Sequence, residues 1–97
     1  MRNLIIDGML SGTGIRDADA GGYVDPYEIG LSADLVGTIE QWLLAYADAH
    51  YHEFVDGAEN KRLDQEGIAI TRQARQELPG TAFEYYSNAS LRMIDVI

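Results

Sequence analysis

The sequence predicts an α+β fold: two antiparallel helices packed on a small, mainly antiparallel β-sheet, in the order β(β)ααββ. Three observations lead there. Two long segments place apolar residues at spacings of three and four, as amphipathic helices require. β-rich segments stand at both ends of the chain. Only a short polar segment separates the two helical stretches, which makes them antiparallel neighbours that share one face of the sheet. At 97 residues residues 1–97 form one domain, because a second would have no room for its own core. The apolar content of 46 % suits a folded chain.

The first strand is expected over residues 3–10, NLIIDGML. Its alternation is imperfect, which points to burial on both faces. SGTGIRD, residues 11–17, is a turn or bulge, and Ile15 can open a short second strand. Residues 18–30 form a loop, punctuated by Gly21-Gly22 and Asp25-Pro26. Tyr23 and Tyr27 decorate it; at least one is expected to lay its ring on the helix below.

Helix one is expected from about Ala33 to His52. Ser32 is its N-cap and Asp34 lies in the first turn, beside the positive end of the helix dipole. Its core stripe is Leu35, Ile39, Trp42, Tyr46 and then Ala49 or His50. Residues 55–60 connect, and Asp56 caps a second helix from about Ala58 to Leu78. Its stripe is Leu63, Gly67, Ile70, Ala74 and Leu78. Glycine inside a helix costs ~1 kcal/mol relative to alanine, so Gly67 implies a close approach to helix one, near Trp42 or Tyr46. Arg62, Arg72 and Arg75 fall on or beside the solvent face, with Arg62 able to pair with Glu66. Pro79-Gly80 ends the helix. The tail is a hairpin: Phe83 and Tyr85 alternate with Glu84 and Tyr86, residues 87–90 turn, and residues 91–97 return.

Charge is the most distinctive property. The formal charge is −9, and from Asp17 to Asn60 there are ten acids and neither Lys nor Arg. Such a face repels nucleic acid and anionic membrane and attracts basic partners. The bland alternative is an acidic surface that only keeps the protein dissolved. The chain has no cysteine, which removes disulfides and thiol chemistry and fits a reducing compartment. MRNLIIDGML does not read as a signal peptide, since Asp7 interrupts the apolar run. No run is long enough to span a bilayer. The expected location is cytoplasmic.

Catalytic constellations do not stand out. SGTG lacks the lysine and spacing of a phosphate-binding P-loop and reads as a turn. His50 and His52 are two apart, so on a helix they point in different directions and cannot chelate together. One is expected to pack near the helix end and the other to face solvent. No nucleophile-elbow sequence holds a serine in place. The expectation is no catalytic residue, no metal and no cofactor.

The motifs taken in order form a pattern: SGTGIRD, GGYVDPYEIGLS, LxxxIxxWLxxY, LDQEGIAIxxxAxxELP, and a late tyrosine-rich strand with SNA. This order resembles small acidic bacterial proteins that occur as immunity proteins beside polymorphic toxins, including contact-dependent growth inhibition systems. The resemblance covers most of the chain and implies binding to a cognate toxin C-terminal domain, not catalysis. Many such toxins are nucleases with basic grooves, which an acidic protein can occupy by mimicking a phosphate backbone. The partner-binding residues are then expected at both ends of helix one: Asp17, Asp19, Tyr23, Asp25, Tyr27 and Glu28 leading in, and Asp48, Glu53 and Asp56 leading out. The two tyrosines are the candidate anchors. The alternative is a small acidic regulatory or adaptor protein for another basic partner. Neither reading involves nucleic acid or membrane, and both leave the oligomeric state open.

Overall fold

A computed structural model describes every residue from Met1 to Ile97. The elements run β1 (Asn3–Asp7), β2 (Ile15–Asp17), α1 (Ala33–Tyr51), α2 (Gly57–Glu77), β3 (Ala82–Ser87) and β4 (Arg92–Ile94). The four strands form one sheet in the order β2-β1-β3-β4. Both outer ladders are antiparallel. The central ladder, β1 with β3, is parallel, so the sheet is mixed. The reason lies in the connection: both helices separate β1 from β3, and a crossover of that length lets the chain return in the same direction. No helix is long and apolar enough to cross a membrane.

Strand alternation sorts the sheet into two faces. Leu4 stands opposite Phe83, and Ile6 opposite both Tyr85 and Ile15; all five are buried under the helices. Ile5, Arg16, Glu84, Tyr86 and Met93 lie on the other face. β1 is shorter than the apolar run 3–10, because Gly8 leaves the ladder. A Cβ on Gly8 would stand 2.4 Å from the Tyr46 ring, so glycine there lets α1 settle onto the sheet. β4 is shorter than residues 91–97, because Arg75 and Arg72 draw the chain end toward α2. Arg75 Nη1 donates to the Val96 carbonyl at 2.6 Å, Arg75 Nε to the Phe83 carbonyl at 2.9 Å, and Arg72 Nε to the Ile97 carbonyl at 3.0 Å. Arg75 is thus a half-buried tie beside the solvent face.

The helices begin where the capping residues place them. The Ser32 hydroxyl accepts from Leu35 N–H at 3.1 Å, and the Asp56 carboxylate accepts from Ala58 and Glu59 N–H. The start of α1 meets the end of α2 through Glu77, which accepts from Ser32 N–H at 2.7 Å and from its hydroxyl at 2.8 Å. Farther along, Trp42 Nε1 donates to the Leu63 carbonyl at 3.0 Å. These contacts run in opposite senses along the two helices and fix them antiparallel. Gly67 does mark a close approach, but its neighbour is β3, not α1. A Cβ there would lie 2.3 Å from the Tyr85 ring, and that ring is held in place by its hydroxyl, which donates to Asp64 at 2.7 Å.

Glu77 places a negative charge at the positive end of α1, where it is favourable. Its carboxyl is held below the ordinary value of 4.5, first by the Ser32 N–H, against some desolvation, then by Gln73 and the Ser32 hydroxyl. The stabilisation is complete above that ordinary value and fades as pH falls through the lowered one. Glu77→Gln is expected to cost about 0.5–1 kcal/mol at neutral pH. It should also flatten the loss of stability below that ordinary value, read as urea midpoints across an acid pH series.

Candidate functional site

The loop into α1 is more firmly built than its glycines imply. Val24 N–H donates to the Ile15 carbonyl and Asp17 N–H to the Gly22 carbonyl, both at 2.9 Å, and Arg16 bridges Tyr23. Residues 22–24 therefore line the edge of β2 as a partial fifth strand. The Thr13 hydroxyl joins them by donating to the Val24 carbonyl at 2.6 Å, which ties the SGTG connection between β1 and β2 to this edge.

Tyr23 is the latch. Its hydroxyl donates to Asp7 Oδ1 at 2.8 Å. Burial, and then that bond to a carboxylate, holds the hydroxyl protonated well above its ordinary value. Asp7 is 2 % exposed and also takes Arg16 Nε on its other oxygen at 3.1 Å, and Met9 N–H at 3.2 Å. By strand alternation Asp7 belongs to the outer face, and Arg16 and Tyr23 cover it there. Tyr23 thus packs on the sheet side and not on α1. Sequence reasoning missed Asp7 and Arg16 as positioning residues. The available signal was a lone acid inside an apolar strand facing a base across a short hairpin.

Several of the acids expected at a partner surface also serve the fold. Asp17 accepts from Asp19 and Ala20 N–H at 2.9 Å and pairs with Arg2 at 3.4 Å. Those backbone bonds, chiefly the Ala20 one, hold its carboxyl below the ordinary range. Asp25 accepts from Tyr27 N–H at 2.8 Å and closes the turn through Pro26. Asp56 is the α2 cap. Asp19 is exposed and accepts from the Asn3 amide at 3.2 Å.

The free charge lies elsewhere. The ion pairs of the chain join Arg2 to Asp17, Arg16 to Asp7, His52 to Asp48, and Arg62 to both Glu59 and Glu66. Glu28, Glu40 and Glu53 are outside all of them, and Glu28, Glu40 and Glu53 are exposed or largely so. Asp48 is 78 % exposed, 3.7 Å from His52 Nδ1. Tyr27 is 58 % exposed and borders a groove of about 300 Å³ with Thr13, Pro26, Glu40 and Leu43.

The exit from α1 is locked by an unusual backbone. Glu53 and Phe54 both adopt left-handed conformations, φ 54° and 56°. Phe54 N–H donates back to the Ala49 carbonyl at 2.9 Å, a helix-terminating bond. Its ring stacks edge-on against His50 at 4.7 Å and Tyr46 at 5.8 Å. The two histidines part as expected: His50 Nε2 meets the Gly8 carbonyl at 3.1 Å, while exposed His52 Nδ1 meets the Asp48 carbonyl at 2.8 Å. No three His, Asp or Glu side chains converge as metal ligands would.

The two acidic edges are not brought together. Asp25 and Tyr27 lie beside the middle of α1, in the groove with Glu40 and Leu43, while Asp48, Glu53 and Asp56 stand at its C-terminal end. A partner that touches both must lie along α1. No protein-family model, curated protein or solved structure matches this chain.

Proposed function

We propose that this chain is a non-enzymatic immunity protein that binds and neutralises the C-terminal domain of a cognate bacterial toxin, one of nuclease type, through its acidic surface. The observation that supports this reading most is the stretch Asp17–Asn60, ten acids without a Lys or Arg, of which all but Asp17 and Glu59 are exposed. A nuclease groove is basic because it receives phosphates. An acidic surface steers toward such a groove, speeds association and covers the residues that bind the substrate. The latched loop supports the same reading, since a preorganised surface loses less entropy on binding.

The residues divide by role. Glu28, Asp48 and Glu53 supply charge to the partner, with Tyr27 as an anchor. Asp17, Asp25, Asp56 and Tyr23 hold the surface in shape. Co-expression with the toxin domain encoded by the adjacent gene tests the proposal. Growth should be restored and the two chains should co-purify; continued toxicity without a complex would sink it. A complex with a basic protein that is not a toxin would favour the adaptor reading in its place.

A further inference from the structure

The outward face of α1 departs from what a solvated helix needs. Leu44 is 66 % exposed and Tyr51 is 77 % exposed. At 100° per residue these positions share one stripe with Glu40 and Asp48, directly opposite the buried Trp42. The outward face of α2 offers the contrast: Lys61, Arg62, Gln65, Ala69, Arg72, Gln73 and Gln76 are its exposed residues, and none is a large apolar side chain. Beside the α1 stripe, Tyr27, Leu43 and Glu40 line the groove described above.

We propose that this face is the centre of a docking surface for an amphipathic helix of the partner, one whose apolar stripe is flanked by Lys and Arg. Residues 40–51 span about 16 Å, the reach of three helical turns, and anchors at such spacing are how a helix is read by a surface. The charge selects the occupant. Glu40 and Asp48 lie on the stripe, and exposed Glu28 and Glu53 stand one residue from Tyr27 and two from Tyr51. Arg62, which shares a groove with Gln41 and Ala45 of α1, is clamped to Glu59 and Glu66. A second copy would set acids against acids across a two-fold axis. Another exposed apolar region, around Leu91 and Met93, is a different kind of surface, since Arg92 and Glu84 give it both signs.

This inference rests on the proposed binding function and deepens it, moving the contact from the two ends of α1 to its middle. Its test needs no toxin. The isotope-labelled chain is titrated with a synthetic helical peptide of roughly 18 residues, a leucine stripe flanked by lysines, and with a same-composition peptide whose order destroys the stripe. Amide shifts should concentrate at Tyr27 and over residues 40–51, and the disordered-stripe peptide should bind about tenfold more weakly. The double variant Leu44→Ser/Tyr51→Ser should lose about tenfold in affinity, as should Glu40→Lys/Asp48→Lys, while Met93→Ser changes nothing. All these side chains are solvent-exposed, and an unchanged spectrum away from the substitutions checks the fold. Shifts on the open sheet face, equal binding of both peptides, no binding, or self-association through α1 would each overturn the proposal. Peptide docking on α1 without rescue from the toxin would remove the immunity reading alone; rescue with docking elsewhere would remove this surface alone.

Discussion

Trp42→Ala is expected to destabilise the protein by about 3–5 kcal/mol, a large part of the roughly 5–15 kcal/mol that holds a small domain together. Trp42 is 1 % exposed and joins three elements. Its indole N–H reaches across to α2 at Leu63, its ring meets Tyr46 edge-on at 5.1 Å, and it lies 6.1 Å from the Tyr85 ring on β3. An alanine leaves a cavity at this junction which the tethered Tyr85 cannot fill, because its hydroxyl is fixed on Asp64 and its ring is wedged against Gly67. Trp42→Phe keeps most of the buried area and loses the hydrogen bond, so it should cost only about 1–2 kcal/mol. Urea unfolding of both variants separates the two contributions.

The second large effect concerns the latch under the loop into α1, and it should be asymmetric. Asp7 is 2 % exposed and Arg16 39 %. Removing Arg16 leaves a buried carboxylate without its counter-charge; removing Asp7 leaves a cation that water can reach. Arg16→Met is therefore expected to cost about 3 kcal/mol, and Asp7→Asn clearly less. The double variant should be more stable than Arg16→Met alone, because no buried charge remains. Hydrogen exchange at the Val24 N–H should rise in the two variants that lack the Asp7 carboxylate, since Tyr23 loses its anchor in both, and less in Arg16→Met, where that anchor remains. Equal costs for the two single variants would contradict this account of the latch.

The contrast between what was legible and what was not follows the range of the forces involved. Both helices, their caps at Ser32 and Asp56, the stripe from Leu35 to Tyr46 and the C-terminal hairpin are written in local patterns, and local patterns can be read from one sequence. The parallel pairing of β1 with β3 is not local: only the placement of both helices between them decides it. Gly67 announced a close contact correctly, but a glycine cannot say whether its neighbour is a helix or Tyr85 on a strand. The candidate site was legible only in part, for the same reason. Counting acids located the charged block, yet Asp17, Asp25 and Asp56 are engaged by backbone N–H groups a few residues away, and Tyr23 by an aspartate on another strand. The exposed stripe of Leu44 and Tyr51 was hidden because a helix with apolar residues on two sides reads as a wider core face until one side is seen uncovered.

The central claim, that this surface recognises a basic toxin domain by charge, is tested most directly by stopped-flow association with the neighbouring toxin domain over a range of salt. The account predicts rates that fall steeply as salt rises. It also predicts that Glu28→Lys/Asp48→Lys slows association about tenfold or more at low salt, with little difference at high salt. Rates that ignore salt and are unchanged by the double reversal would contradict it.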